Sequence, residues 1–262
     1  MWLYGGGRTV LDCGSIVGSQ GLEYTLVDGS YYAVTGLGTC TDTEVVIPPM
    51  YNGLFVRAID DYAFHYKSGI LGITIPDSVT SIGSYAFANC TGMKNVYIGK
   101  SVVSIGDRAF EKCQGLTSVT MPDSVKSLGN YVFYECAYLE VATLGQSVKN
   151  LGEGAFYQCV NLREVWLGES VSAVGSRAFY NCYKLESVIL PDSVEVIGDY
   201  VFYSCTNLTK VVIPAYVESI GVRIFDGANP TIYCRAYSKP ESWSADWNYY
   251  NAPVVWGYTD EA

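Results

Sequence analysis

Short apolar–polar–apolar triplets recur along the chain, among them Val96-Tyr97-Ile98 and Val165-Trp166-Leu167. Alternation with period two over so few residues predicts a brief, half-buried strand. Each triplet runs into a Pro or a Gly: Pro76, Gly99, Pro122, Gly145, Gly168, Pro191 and Pro214. Pro fixes φ and Gly admits positive φ, so both suit a sharp turn. Next comes Ser-Val-x-x-Ile/Leu-Gly, whose apolar pair (Val79 with Ile82 in one copy) predicts a short extended segment returning along the opposite side. The third piece is Ala/Val-Phe-x-x-Cys, a tight 3₁₀-like turn that buries Phe and Cys. It is preceded by Ser84, Asp107, Asn130, Glu153, Ser176 or Asp199, most of which can accept backbone N–H bonds as caps.

These three pieces form a 23-residue unit. Phe64, Phe87, Phe110, Phe133, Phe156, Phe179, Phe202 and Phe225 are each 23 residues apart. Columns of Gly (Gly83 to Gly221), Cys (Cys90, Cys113, Cys136, Cys159, Cys182, Cys205) and Val (Val79 to Val217) keep the same register. One unit is too small to bury its own apolar residues, so the units must stack into one continuous core, like on like. The architecture implied is a right-handed solenoid with one long parallel sheet, and with short extended segments and 3₁₀ turns on the other side.

The ends depart from the period. Residues 1–20 read as an extension. Residues 21–42 read as a hairpin cap, with Asp28-Gly29 as a favoured type I′ turn. About eight coils fill 43–228, the first carrying about five extra residues (PMYNG), and a Trp- and Tyr-rich cap fills 229–262. The pattern L-x-x-V-x-I-P-x-S-V-x-x-I-G-x-x-A-F-x-x-C resembles the BspA-like (Treponema pallidum type) leucine-rich repeat family, over about residues 43–228. The resemblance implies a leucine-rich-repeat solenoid displayed on or released from a bacterial cell. Such proteins bind protein or glycan partners, often as modules of larger secreted chains. It implies no shared catalytic residue.

Composition narrows the function classes. A net charge of −10 without a basic stripe argues against nucleic acid and against anionic membrane surfaces. No run of about 18 apolar residues exists to span a bilayer. The first twenty residues show no basic start followed by an apolar stretch, so no signal peptide is visible; an extracellular or cell-surface location follows from the resemblance alone. Nothing calls for a cofactor, and the caps favour a monomer.

Candidate chemistry is sparse. Equivalent Cys residues in stacked coils have parallel Cβ vectors about one strand spacing apart, which suits buried free thiols better than disulfides. Cys13, Cys40 and Cys234 lie off the ladder, and Cys13 could pair with Cys40. There is no C-x-x-C and only one His, so no metal site is expected. His65 lies in a variable column and lacks a catalytic partner. Asp77, Asp123 and Asp192 share their column with Lys100, Gln146, Glu169 and Ala215, which marks a turn-capping role rather than a calcium or acid–base site. Gly5-Gly6-Gly7 lacks the Lys and helix of a phosphate loop. No residue is assigned a catalytic role.

Two surfaces remain as binding candidates. If Val96 and Ile98 face inward, the outward positions are Asn95, Tyr97, Thr120, Thr143, Glu164, Trp166, Ile189 and Val212. An exposed Trp with aliphatic neighbours needs an explanation, which places Trp166 at the centre of any site. The second candidate is Tyr134, Tyr157, Tyr180 and Tyr203, each following a buried Phe; stacked rings that merely stiffen the turn side are the simpler account. The expected function is a noncatalytic binding module, with a structural spacer of a larger chain as the alternative.

Overall fold

The computed structural model describes residues 18–259. It is a solenoid built of parallel strands, with no helix among the described residues. Every coil contributes one strand to each of two faces. On one face lie the strands of the alternating triplets: Glu44–Val46, Gly72–Thr74, Asn95–Tyr97, Ser118–Thr120, Val141–Thr143, Glu164–Trp166, Ser187–Ile189 and Lys210–Ile213. Two more, Thr231–Cys234 and Val254–Trp256, continue this face into the aromatic tail in parallel register. On the other face lie two-residue strands from Ser81–Ile82 to Ser219–Ile220, one per Ser-Val-x-x-Ile/Leu-Gly segment.

The continuity of the sheets differs from the expectation. The short-strand face is the unbroken one and forms an eleven-stranded sheet with the N-terminal hairpin. The triplet face is divided into three sheets, interrupted between Asn95–Tyr97 and Ser118–Thr120 and again between Glu164–Trp166 and Ser187–Ile189. Each of the three sheets begins with a strand that runs into Pro (Pro48, Pro122, Pro191) and ends with one that runs into Gly (Gly99, Gly168, Gly257).

Packing at these turns explains the pattern. A Cβ on Gly99 would lie 2.3 Å from the Pro76 carbonyl oxygen, and one on Gly168 would lie 2.3 Å from that of Gly145. Gly therefore lets a coil settle directly onto the carbonyl beneath it. Pro122 and Pro191 carry a ring at that place above a Gly coil, and the ladder is interrupted at both junctions. The Pro48–Pro76 and Pro191–Pro214 junctions, with no Gly beneath, keep their ladders.

The turn side is also hydrogen-bonded from coil to coil. Phe64 N–H donates to Ala86 O (2.7 Å), and Phe87, Phe133 and Phe156 repeat the bond at 2.8 Å. The turns keep i→i+3 bonds such as Cys136 N–H to Phe133 O, but they are not 3₁₀ helices. Two residues per coil take left-handed φ, for example Tyr131 (55°) and Glu135 (55°) around Phe133. Single residues in this region are costly without Gly, so cross-coil bonding must hold them there.

The core is the stacked interior. Phe rings from Phe64 to Phe225 lie 5.2–5.6 Å apart and nearly parallel. Cys90, Cys113, Cys136, Cys159, Cys182 and Cys205 are buried free thiols. Each Sγ donates to the carbonyl of the Phe 26 residues earlier, as Cys136 does to Phe110 O at 3.1 Å. This gives the column a polar as well as an apolar reason to be Cys. Cys40 and Cys234 are also free and buried, whereas Cys13 and Gly5-Gly6-Gly7 lie outside the described residues.

The caps close the column. The hairpin Glu23–Val27/Tyr31–Gly36 turns through left-handed Asp28 and Gly29. The extra residues PMYNG form a second hairpin through Asn52-Gly53, and Tyr51 stacks on Tyr24 at 4.0 Å. At the other end Trp243, Trp247 and Trp256 pack within 6.3 Å of one another, and Trp243 Nε1 donates to Val217 O (2.9 Å).

Candidate binding surface

The triplet strands are too short to curl, so alternate side chains are thrown cleanly in and out. Val119, Ala142, Val188 and Val211 face the core and are buried. Their neighbours Asn95, Tyr97, Thr120, Glu164, Trp166 and Ile189 are exposed, and Thr143 is half-buried. Trp166 and Ile189 each keep 61% of their surface exposed, and Tyr97 keeps 50%. Val212, expected on this face, is instead buried at 1%. It sits in register between Ile189 and Tyr233, and the C-terminal strands continue the sheet over it, which a strand pattern ending at the last repeat does not reveal.

The two interruptions turn this face from a flat sheet into a surface with two clefts. Where coils are paired, Leu144 N–H donates to Trp166 O and Met121 N–H to Thr143 O, both at 2.9 Å. No counterpart joins Leu167 to Ile189 or Ile98 to Thr120. The inward residues at these seams open: Val96, Val165 and Leu167 are half-buried. One cleft, of about 530 Å³, is lined by Val96, Tyr97, Ile98, Lys100, Thr120, Met121 and Asp123. The other, of about 250 Å³, is lined by Glu164, Val165, Trp166, Leu167, Glu169, Ser187 and Ile189. Three coils separate them, about 15 Å at the spacing of parallel strands. Each offers an apolar floor, one large exposed aromatic ring and backbone groups outside the ladder, as ligand sites do.

Two of the carboxylates that follow the turns accept coil-to-coil bonds, and the third, Asp192, pairs with Arg235. Asp77 Oδ1 accepts from Lys100 N–H (2.8 Å) and Asp123 Oδ1 from Gln146 N–H (2.9 Å). The residues after the Gly column do the same for the next coil: Asp61 for Ser84, Asp107 for Asn130, Asn130 for Glu153, Asp199 for Val222. The capping thus runs between coils, not within the turn. His65 packs against Tyr66 and Tyr62.

The tyrosines on the turn side stack. Tyr157, Tyr180 and Tyr203 lie face to face at 4.6 and 4.4 Å, and Tyr134 joins at 5.4 Å with a tilt. All four are half-buried. A hydrogen bond with Glu135, aided by burial, pushes the Tyr134 hydroxyl up to about 12. The left-handed column beside them interleaves cations. Arg108 lies over Tyr131 at 4.7 Å, over Tyr134 at 5.4 Å and over Tyr85 at 5.9 Å, while its guanidinium bonds Glu111 (2.9 Å). Along this strip the charges and rings contact one another from coil to coil.

Residues 57–185 and 138–233 match the model of the BspA type leucine rich repeat region, in six copies. The chain belongs to the BspA-type leucine-rich repeat family. Among solved structures, this BspA-type solenoid is similar to the leucine-rich repeat protein of T. pallidum, with 28% identity over 63% of this chain and 88% of that one, at a TM-score of 0.51. It is also similar to a leucine rich cell surface protein from Faecalibacterium prausnitzii, with 25% identity over 83% of this chain and 70% of that one, at a TM-score of 0.67. No curated protein matches the chain. No helix among the described residues is long and apolar enough to cross a membrane.

Proposed function

We propose that the protein is a noncatalytic recognition module of a bacterial cell surface or secretion, which binds protein or glycan partners on the triplet face, with Trp166 at the centre of the contact. The observation that carries this reading is the pair of clefts, each set beside an exposed aromatic ring on a rigid, repeat-braced face. Rigid aromatic anchors are the residues that dominate binding energy at interfaces, because they bury much area at little entropic cost. The surface protein of F. prausnitzii supports the location, being called a cell surface protein. The test is a glycan array and a pull-down with the purified chain and with Trp166→Ala and Tyr97→Ala, their folding checked by circular dichroism. Loss of the captured partner on either substitution supports the reading; retention of every partner by both variants refutes it.

A further inference from the structure

The two clefts share a shape but not a charge. The Tyr97 cleft is lined by one cation and one carboxylate, Lys100 and Asp123. The Trp166 cleft is lined by two carboxylates, Glu164 and Glu169, and by no cation. Glu164 lies on the same strand as Trp166, two residues before it, so both project from one face. The ion pair Arg163 with Glu186, at 3.7 Å, uses neither of the cleft carboxylates, and neither is in an ion pair among the described residues. An exposed indole face flanked by carboxylates attracts a cation by its quadrupole and by direct charge. The half-buried Leu167 and the exposed Ile189 add an aliphatic wall, which fits the methylene stem of a long basic side chain. The unladdered backbone at this seam offers hydrogen-bonding groups to a main chain lying across it. The protein as a whole is acidic, at −10, and so steers basic segments toward itself.

We propose that the cleft beside Trp166 is a receptor for a lysine or arginine side chain presented by a basic polypeptide segment. The stem lies along Leu167 and Ile189, and the cationic head rests between the indole and the carboxylates of Glu164 and Glu169. This inference rests on the binding role proposed for the face and specifies the partner as a basic polypeptide.

The test uses the full chain, a capped oligolysine peptide and the same peptide with every lysine acetylated, which keeps the stem and removes the charge. Binding is read by isothermal titration at low and moderate salt. The expected result is saturable binding of oligolysine alone, weakened by about tenfold in Trp166→Ala and by a similar factor in the charge-neutral, isosteric Glu164→Gln/Glu169→Gln double variant. Asp123→Asn, in the other cleft, should leave it unchanged. Equal binding by wild type and both Trp166-cleft variants means diffuse attraction to net charge and overturns the proposal, as does absence of binding. A neutral oligosaccharide that binds through Trp166 but ignores the Gln substitutions also overturns it, while leaving the binding role of the face intact. If neither probe nor any array ligand depends on Trp166 or Tyr97, the broader reading fails as well.

Discussion

Removing Phe133 tests the stacked core at its centre. Phe133 is fully buried, and its ring lies 5.5 Å from Phe110 and 5.3 Å from Phe156, parallel to both. Phe133→Ala deletes the ring and leaves a hole with a bare aromatic face above and below. Loss of transfer energy plus a cavity costs about 3–5 kcal/mol for a buried Phe. Phe64, equally buried, stacks within this column on Phe87 alone, at 5.2 Å. A stacked pair contributes about 0.5–1.5 kcal/mol beyond area burial, so Phe133→Ala should cost about 1 kcal/mol more than Phe64→Ala. There is also a qualitative difference. In a one-dimensional array each coil is stabilised mainly through its neighbours, so a central hole uncouples two halves while a terminal one only frays an end. Urea unfolding followed by tryptophan fluorescence and by far-UV circular dichroism should separate these outcomes. The Trp signal reports largely on the C-terminal cap, and the dichroism reports on all coils. For Phe133→Ala the two curves should part and the apparent m-value should fall; for Phe64→Ala they should stay closer together. Equal costs with coincident, single transitions in both variants would refute nearest-neighbour stacking as the source of stability.

Four further outcomes follow from the geometry. Burial pushes the Cys90, Cys136 and Cys234 thiols from an ordinary value near 9 up to about 12. The fold therefore holds these protons when the unfolded chain has released them; stability should be intact below about pH 9 and decline as pH rises toward about 12. Native thiols should also resist iodoacetamide at pH 8 and react fully in denaturant. Hydrogen exchange should distinguish seam from ladder, with Leu167 and Ile98 amides exchanging faster than Leu144 and Met121; equal protection would contradict the interrupted sheet. Gly129→Ala should lower Tm, with a cost of about 1–3 kcal/mol, because its Cβ would fall 2.5 Å from Asp107 N and 2.6 Å from Asp107 Oδ1. An unchanged Tm would show that the coils can move apart freely.

The repeat, the buried Phe and Cys columns and the outward aromatic residues were legible in the sequence because stacking converts a linear period directly into contact. Other features were not legible, each for a physical reason. Val212 carries the same outward pattern as Ile189, but its exposure depends on the strands from Thr231 onward, whose sequence has left the period. The capping residues after the Gly column were recognised as acceptors, yet their donors belong to the following coil; a local rule for helix caps finds the acceptor and misplaces the bond. The sheet interruptions had a signal in plain sight, Gly99 followed by Pro122 and Gly168 followed by Pro191. Read one at a time, both residues simply end a strand; only their vertical order, one coil above another, decides whether the ladder closes. The left-handed pairs left no trace, since Tyr, Arg, Asn, Lys, Glu and Gln all occupy them.

The side-chain acceptors handed upward from Asp61, Asp107, Asn130 and Asp199 all span the same interval, 23 residues. At these positions the donor is satisfied by the acceptor carried one unit below it, provided that the interval is kept. Duplication or excision of a whole unit keeps that interval, whereas residues added within a unit must be looped out, as the PMYNG hairpin is, to keep the bonds above them in register. Copying in whole units is thus the change in length that this pattern of contacts accommodates without a new loop.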